Sequence, residues 1–340
     1  MSYNVQFQYI EDSNISEKDY LLFLESYYGK RSKYKYDSRR TWYQQKDGYK
    51  ILLAIDNGKI LGQSCAFKDT IIIHGNETNI WWGIDVFVRP EARGYDIGKR
   101  MQKKLHNDLP NFSSAWYSPI NGIVKKKCGA KELFPISFCY YPISSFISYI
   151  GNKIINKILK CNLNLKVSLP FLNSNFNSIK IRGDYSYNEI ELNDNVVKFI
   201  EASSLSSSDF YIKRNKQYLI WRYINNPNLK YHIIEIKKRD KTEGVVFFTD
   251  VESESGFYTA KIMDVFKTHM SSLSDKDILY FVTKYFKNKK MKIDGLFSLT
   301  KCTYFPRLIR QTMLLSTIET EKEINNPYIS YSDQDMVQMY

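Results

Sequence analysis

Apolar and polar residues follow one another along the chain with the periods of strands and helices, about 2 and about 3.6 residues. In the first part of the chain these patterns predict a helix over 16–30, a short helix over 121–127, and strands over 49–55, 60–67, 70–74, 80–88 and 113–117. Between the last two strands, Ile97, Met101 and Leu105 stand at i, i+4 and i+8 and predict a helix with a basic outer face. Strands and helices therefore alternate in the N-terminal half.

The same order of elements returns in the second part of the chain. Trp42 and Trp221 lie 179 residues apart, and so do the two copies of the tripeptide D-V-F, at 85–87 and 264–266. Each tryptophan precedes an apolar strand headed by tyrosine, a polar turn and a strand that begins with glycine. A shared offset with matching elements between the landmarks predicts a duplication. The length of 340 residues also exceeds the usual size of one domain, about 100–200 residues.

Residues 143–160 have the pattern of an amphipathic helix, with isoleucines on one face and lysines and asparagines on the other. We expect this helix to pack between two domains or to rest as a peripheral contact on an anionic membrane surface. The uncharged stretch that begins before it is interrupted by Pro135 and Pro142, which argues against a membrane span. Residues 172–188 are rich in Asn and Ser and are predicted to be a linker. The predicted division of the chain is therefore 1–142, 143–188 and 189–340.

The charge and the cysteine content argue against several classes of protein. Lys and Arg number 49 against 36 Asp and Glu, and the excess of +13 is spread along the chain without a basic arm. Such a charge suits phosphorylated small molecules better than a nucleic acid. The 5 cysteines and 4 histidines show no ligand spacing, which argues against a metal site and a disulfide framework. Met1 leads into a polar segment without a signal peptide, so the expected compartment is the cytoplasm.

The stretch 81–105 carries the clearest candidate site. Its apolar strand ends at Pro90, since proline cannot donate a hydrogen bond to a neighbouring strand. A turn with two glycines, Gly94 and Gly98, then leads into the basic helix. The backbone N–H groups of such a turn and the dipole of the helix together attract an anion. The stretch therefore predicts a site for a pyrophosphate group.

This stretch resembles motif A of the GCN5-related N-acetyltransferases (GNAT), V-x-P-x-x-R-G-x-G-I-G. The chain matches the motif at Val88, Pro90, Arg93, Gly94, Ile97 and Gly98. It departs from the motif at Asp96, where the family usually has glycine and where a carboxylate would repel a pyrophosphate. The resemblance implies that acetyl-CoA binds at Phe87, Val88, Arg93, Gly94, Tyr95, Asp96, Ile97, Gly98, Lys99, Arg100 and Asn121. For Asn121 the alternative is a helix cap.

The resemblance implies an α/β (α+β) fold of two tandem GNAT-like domains, each a mixed, mostly antiparallel central sheet flanked by helices. The second D-V-F is followed by KTHMSSLSDKD, which has no glycine, so only the first domain is expected to bind the cofactor. Residues 218–231 are similar to the YLxWRYxxxPxxxY signature of two-domain acetyltransferases encoded with bacterial surface-polysaccharide genes. The candidates for substrate binding are Tyr27, Trp221, Arg222 and Tyr223. A role of the last three in the core is the alternative.

Acetyl transfer from a thioester to an amine needs a base for the amine, a donor to the carbonyl oxygen and an acid for the thiolate. Asp85 is the best-placed carboxylate for the base, and the alternative is a buried Asp that holds loop backbone. Backbone N–H groups at a bulge of the same strand would serve the oxygen. Many relatives carry a tyrosine acid where this chain has Lys125. Tyr117 is therefore the candidate acid, with Cys128 as a second candidate.

The sequence thus favours an acetyl-CoA-dependent N-acetyltransferase acting on an amino sugar, one linked to a nucleotide, for a surface polysaccharide. The amine is expected to attack the thioester directly in a ternary complex. One alternative is a tandem-domain aminoacyl transferase of the peptidoglycan-bridge type, whose donor is an aminoacyl-tRNA and which lacks the R-G-x-x-I-G loop. The other alternative is a non-catalytic pseudo-acetyltransferase, which Asp96 and Lys125 suggest.

Overall fold

The computed structural model describes residues 3–28, 36–115, 117, 119–142, 184–252, 258–298 and 308–330. Its helices are α1 Glu17–Tyr28, α2 Tyr36–Gln44, α3 Ile97–Asp108, α4 Pro119–Lys127, α5 Asp194–Glu201, α6 Lys216–Leu219 and α7 Asp275–Asn288. Its strands are β1 Gln6–Tyr9, β2 Lys50–Asp56, β3 Lys59–Ile73, β4 Asn76–Val88, β5 Phe112–Ser114, β6 Lys131–Pro142, β7 Tyr185–Glu189, β8 Phe210–Ile212, β9 Tyr231–Lys238, β10 Lys241–Glu252, β11 Tyr258–Lys267, β12 Gly295–Ser298 and β13 Leu308–Ser316.

All of these strands belong to one mixed sheet. Their order is β1-β2-β3-β4-β5-β13-β6-β12-β11-β10-β9-β7, and β8 pairs with the far end of β3. Among the described strands, only β4 with β5 and β11 with β12 are parallel neighbours. The prediction of a mixed, mostly antiparallel sheet flanked by helices is confirmed.

The two halves repeat one order of strands. β1 to β6 correspond to β7, β9, β10, β11, β12 and β13. Val88 pairs with Gly62, and Lys267, at the offset noted above, pairs with Gly244. The last strands are exchanged, because β13 lies beside β5 and β6 lies beside β12. The repeated register supports the predicted duplication, and the exchange joins both copies into one sheet.

A reciprocal pair of tryptophans joins the helical layers of the two halves. The rings of Trp42 and Trp221 stack with centroids 4.5 Å apart and 6° between their planes. The indole N–H of Trp42 donates to the backbone oxygen of Trp221 at 2.8 Å, and the indole N–H of Trp221 donates to the backbone oxygen of Trp42 at 3.0 Å. Both residues are buried. Equivalent residues that contact each other symmetrically are expected where two copies of one unit pack about a local twofold axis.

Several predicted elements change in extent. Residues 70–73 are the end of β3 and not a separate strand, because β3 and β4 form one long hairpin closed at His74 and Gly75. The predicted strand at 113–117 is only Phe112–Ser114. Residues 185–188, predicted as linker, belong to β7, which pairs with β9. The predicted helix at 143–160 lies outside the described residues. Within the described part of the chain, no helix is long and apolar enough to cross a membrane.

Candidate active site

β4 and β5 separate where the predicted site lies. They pair at only two positions, and the second places Trp82 opposite Ser113. β4 continues to Val88, whereas β5 ends at Ser114. From Gly83 onward, the edge of β4 that faces β5 therefore pairs with no described strand, while the other edge stays paired with β3. Backbone N–H and C=O groups along this edge can pair with a ligand that lies in the gap.

A β-bulge bends β4 beside this gap. Gln63 of β3 pairs with Phe87 of β4, and Cys65 pairs with Ile84. A step of two residues along β3 therefore corresponds to a step of three residues along β4. Asp85 lies within this bulge with a φ of 49°, in the left-handed region. It therefore lies in the bulge itself. A bulge leaves backbone groups out of the ladder and redirects a side chain.

The loop after β4 leaves room for an anion. Gly94 has a φ of 88° and Asp96 a φ of 57°, so the chain is twice left-handed before α3 begins at Ile97. A Cβ on Gly94 would meet no atom within 4 Å, and a Cβ on Gly98 would meet only Val88 Cγ2, at 3.5 Å. Both glycines face open space, as close approach of a phosphate to backbone N–H groups requires.

The first turn of α3 has no side-chain cap, although Asp96 stands at the N-cap. In α7, by contrast, Ser274 Oγ accepts from Asp277 N at 3.3 Å and Asp277 Oδ2 accepts from Ser274 N at 2.9 Å. N–H groups in the first turn of a helix need a partner from outside the helix ladder. Those of α3 are open to an anionic ligand, whereas α7 caps itself and carries Asp275 and Asp277 in its first turn. The residues of α3 therefore fit the pyrophosphate of a coenzyme A, and those of α7 do not.

Three cations surround the loop, and all are exposed: Arg93, Lys99 and Arg100. Arg93 Nε donates to the backbone oxygen of Val88 at 3.1 Å. The guanidinium carbon of Arg100 lies 4.6 Å from the ring centroid of Phe7. These contacts hold positive charge around the open N–H groups, where it favours an anion.

Of two further predicted cofactor residues, Tyr95 lies in the loop and Asn121 lies on α4. Tyr95 keeps 43% of its surface exposed and packs edge-on against Tyr3, with ring centroids 4.9 Å apart. Asn121 is the third residue of α4, which begins at Pro119. Asn121 therefore lies inside the first turn and not at the N-cap position itself. Its contact with the cofactor stays a prediction.

We expect Asp96→Gly to leave the affinity for acetyl-CoA unchanged or to raise it by up to about tenfold. The substitution removes a carboxylate near the pyrophosphate site, and glycine adopts the left-handed conformation of this position without strain. Calorimetric titration measures the effect. Asn57→Gly is the matched control, because Asn57 is also left-handed, with a φ of 47°, but lies in the β2–β3 turn. A tenfold loss of affinity in Asp96→Gly alone would mean that the Asp96 side chain assists binding.

On the face of the sheet opposite α3, α1 covers the bulge. The rings of Phe23 and Phe87 have centroids 5.8 Å apart, and the Tyr20 hydroxyl donates to Gln63 Oε1 at 2.9 Å. Burial raises the pKa of Tyr49 well above its ordinary value, and the nearby Cys65, Tyr20 and Asp85 raise it further. The half-buried Asp85 carboxylate and the protonated Tyr49 hydroxyl thus belong to one electrostatic group. Such a group can bind the ammonium form of an amine.

The equivalent aspartate of the second half, Asp264, has a structural role in the core. Asp264 is 1% exposed, and it accepts two hydrogen bonds from Arg214, each of 3.2 Å. The hydroxyl groups of Tyr223 and Tyr328 also donate to it. A buried Asp held in this way is the alternative that the sequence left open for Asp85. Asp85, by contrast, is only half-buried.

The candidate acids have very different surroundings. The Tyr117 hydroxyl donates to the backbone oxygen of Met313 at 3.0 Å, so its proton is already held by β13. Burial raises the pKa of the Cys128 thiol. Lys125 is buried, donates from Nζ to Ser114 Oγ at 2.6 Å, and has its pKa lowered by burial to about 7. Sequence reasoning noticed Lys125 only as a missing tyrosine, because burial of a lysine leaves no mark in the sequence.

The proposed substrate residues of the second half lie in the interior. Trp221, Arg222 and Tyr223 keep only 6%, 2% and 5% of their surfaces exposed. The guanidinium carbon of Arg222 lies 5.4 Å from the ring centroid of Trp42 and 5.7 Å from that of Trp221. Stacking of these side chains on a substrate is therefore contradicted, and their role in the core is supported, because contacts between the two halves already occupy them. The side chain of Tyr27, on α1, lies outside the described residues.

We expect Arg222→Lys to lower the free energy of unfolding by about 1–3 kcal/mol and to leave the acceptor KM unchanged. A lysine cannot place a flat cation against the rings of Trp42 and Trp221. Denaturant unfolding and steady-state kinetics measure the two effects. Arg239→Lys is the control, because the Arg239 side chain is 83% exposed. A raised acceptor KM with unchanged stability would restore Arg222 to the substrate site.

A cavity of 460 Å³ lies elsewhere, between β7 and α7, and is lined by Tyr187, Glu189 and Tyr285 among others. It stands eight strands away from β4 in the sheet, which corresponds to about 38 Å at the usual strand spacing. It therefore cannot belong to the site at the α3 loop.

Residues 19–112 match the model of the acetyltransferase (GNAT) family, and this range includes β4, the loop and α3. This part of the N-terminal half is therefore similar to a GNAT acetyltransferase domain. The match supports an acyltransferase that uses acetyl- or acyl-CoA, in agreement with the open first turn of α3. A comparison with curated protein sequences found no match.

Solved structures share the fold over nearly the whole chain. A GCN5-related N-acetyltransferase from Anabaena variabilis is 14% identical, with a TM-score of 0.55 over 94% of this chain and 73% of that one. A tandem GNAT protein from the clavulanic acid biosynthesis pathway is 7% identical, with a TM-score of 0.56 over 92% and 98%. A glucosamine N-acetyltransferase region of a fungal multi-domain β-N-acetylglucosaminidase is 10% identical, with a TM-score of 0.57 over 93% and 38%. The tandem GNAT architecture predicted from the sequence is thereby confirmed.

Proposed function

We propose that the protein is an acetyl-CoA-dependent N-acetyltransferase whose acceptor is the amine of an amino sugar. The observation that carries the proposal is the uncapped first turn of α3, which lies behind a left-handed loop and next to the open edge of β4. The similarity in fold to a glucosamine N-acetyltransferase region supports an amino sugar as the acceptor.

The bound cofactor supplies the acetyl group as a thioester. The N–H groups at Gly94 and Gly98 would hold its anionic end, and the unpaired edge of β4 would offer hydrogen bonds to its arm. Asp85 accepts a proton from the acceptor's ammonium group, so that a neutral amine attacks in a ternary complex. α1 and the aromatic pair of Phe23 and Phe87 cover the bulge and exclude water there.

A nucleotide-linked sugar for a surface polysaccharide is the acceptor that the remaining observations favour. The net charge of +13 suits a substrate that carries phosphates. Residues 218–231 are similar to a signature of two-domain acetyltransferases encoded with such genes. This similarity concerns the architecture, because the side chains of the signature lie in the core.

The test is release of the coenzyme A thiol from acetyl-CoA in the presence of free and nucleotide-linked amino sugars. We expect release with at least one nucleotide-linked amino sugar. The matched control for each sugar is its N-acetylated form, which has no free amine. Binding of acetyl-CoA without thiol release across the panel would contradict the amino-sugar acceptor, and absence of binding would contradict the cofactor itself.

A further inference from the structure

A buried amine lies at the point where β4 and β5 begin to separate, and the proposed acetyl transfer has so far given it no role. Lys125 is 2% exposed, and its Nζ donates to Ser114 Oγ at 2.6 Å. Ser114 is the last residue of β5, and its Oγ lies 3.0 Å from the point where a Cβ on Gly83 would stand. Gly83 is the first residue of β4 beyond the part that pairs with β5. Through Ser114, Lys125 therefore reaches the place where the two strands separate.

The surroundings of Lys125 provide no opposite charge. No carboxylate in the described part of the chain pairs with it, and the ring centroid of Phe112 lies 5.0 Å from its Nζ. The titratable groups that face it are His106 on α3 and the thiol of Cys128 at the end of α4. Burial, together with the charge of Lys125, lowers the pKa of His106 to about 4, so the imidazole is neutral near neutral pH. A buried amine without a counter-charge is costly for the fold, and such groups concentrate at functional sites.

We propose that Lys125 protonates the leaving sulfur of the thioester, directly or through the hydroxyl of Ser114. The inference rests on the proposed acetyl transfer. As the acceptor nitrogen bonds to the carbonyl carbon, the C–S bond breaks and its electron pair stays on sulfur. Lys125 gives a proton to this sulfur and becomes a neutral amine. The proton that the nitrogen loses on becoming an amide passes through Asp85 to water, and Lys125 regains a proton from water.

The direction of this transfer agrees with the acidity of both groups. Burial lowers the pKa of Lys125 to about 7, whereas an ordinary thiol has a pKa of about 8.5, so the proton moves to the stronger base. Tyr117 is the less suitable donor, because its hydroxyl donates to the backbone oxygen of Met313 at 3.0 Å.

The test compares coenzyme A with desulfo-coenzyme A, which lacks the sulfur atom, and needs no acceptor. At about pH 8, where the amine is largely neutral, we expect the bound thiol, which is the weaker acid, to keep its proton and to donate a hydrogen bond to Lys125, directly or through Ser114. The wild-type protein should then bind coenzyme A up to about tenfold more tightly than the desulfo analogue. Lys125→Met should bind both ligands with nearly equal affinity. Lys127→Met is the matched control, because Lys127 is exposed on the same helix, and it should behave as the wild type.

The outcomes separate this inference from the proposed function. Equal binding of both ligands by the wild type would overturn the role of Lys125 and leave the cofactor site intact. Absence of binding of either ligand would overturn the proposed function itself. Because the wild-type comparison is decisive alone, the test stands even if Lys125→Met folds poorly. A preference for coenzyme A over the desulfo analogue that persists unchanged in a folded Lys125→Met variant would also overturn the role.

The titration of Lys125 has an independent readout in stability. Its pKa is lowered from 10.5 to about 7 on folding, so between these values the unfolded chain binds a proton that the folded chain does not. The free energy of unfolding of the wild type, relative to Lys125→Met, should therefore rise with pH across this window and be flat below it. A constant difference between the two proteins would mean that Lys125 keeps its ordinary pKa, which contradicts the proposal.

Discussion

Gly98→Trp is expected to lower the affinity for acetyl-CoA by about 100-fold or more, while the melting temperature stays unchanged. The large effect follows from position, because Gly98 lies in the first turn of α3, whose N–H groups are open to the pyrophosphate. A side chain there fills the space that the phosphate needs. The fold should tolerate it, since Gly98 has no positive φ and a Cβ would meet only Val88 Cγ2, at 3.5 Å.

A graded series makes this prediction sharper. Gly98→Ala adds a single carbon at an ordinary contact distance and should reduce affinity less than tryptophan does, so affinity should fall as the side chain grows. Asn107→Trp is the control, because Asn107 is exposed near the other end of α3. Wild-type affinity in Gly98→Trp would show that the cofactor binds elsewhere. An equal loss in Asn107→Trp would point to a general effect of tryptophan on the helix.

The part of the site that the sequence predicted is the part made by local chain geometry. The strand before Pro90, the turn at Gly94 and the helix from Ile97 follow from neighbouring residues, and the structure has all three. The left-handed φ of Asp96 agrees with the glycine that the motif has there. Such features need no knowledge of distant contacts, because turn chemistry and helix periodicity act within a few residues.

Distant contacts explain what the sequence did not predict. The exchange of β6 and β13 depends on pairing between residues that are more than half the chain apart, such as Ser137 with Gln311. Nothing in the local pattern of either strand specifies that partner. The linker predicted over 172–188 is wrong at 185–188 for the same reason, since the polar β7 becomes a strand only by pairing with β9.

Residues 218–231 show how side chains that are typical of a sugar-binding site can be buried in the core. Aromatic and arginine side chains bind sugars and phosphates, and they also fill interfaces between domains. The equivalence of Trp221 with Trp42 was already visible as a shared offset, and it favoured the core. The structure decides the matter, because each tryptophan hydrogen-bonds the backbone of the other.

The same substitution at the two equivalent aspartates is expected to have opposite effects. Asp264→Asn should lower the free energy of unfolding by about 3–5 kcal/mol, because it leaves the guanidinium of Arg214 buried without its charge partner. Asp264 is also the acceptor for the hydroxyls of Tyr223 and Tyr328, so the loss spreads through a buried network. Denaturant unfolding of the purified variant measures this loss.

Asp85→Asn should change the free energy of unfolding by less than about 1 kcal/mol and lower kcat by about 100-fold or more, since an amide cannot accept the acceptor's proton. The two variants control each other, because they make the same chemical change at equivalent places in the duplicated sheet. Thiol release with the acceptor sugar gives kcat, and binding of acetyl-CoA should be unaffected. If Asp85→Asn destabilises the protein as much as Asp264→Asn and leaves kcat unchanged, Asp85 is a structural residue.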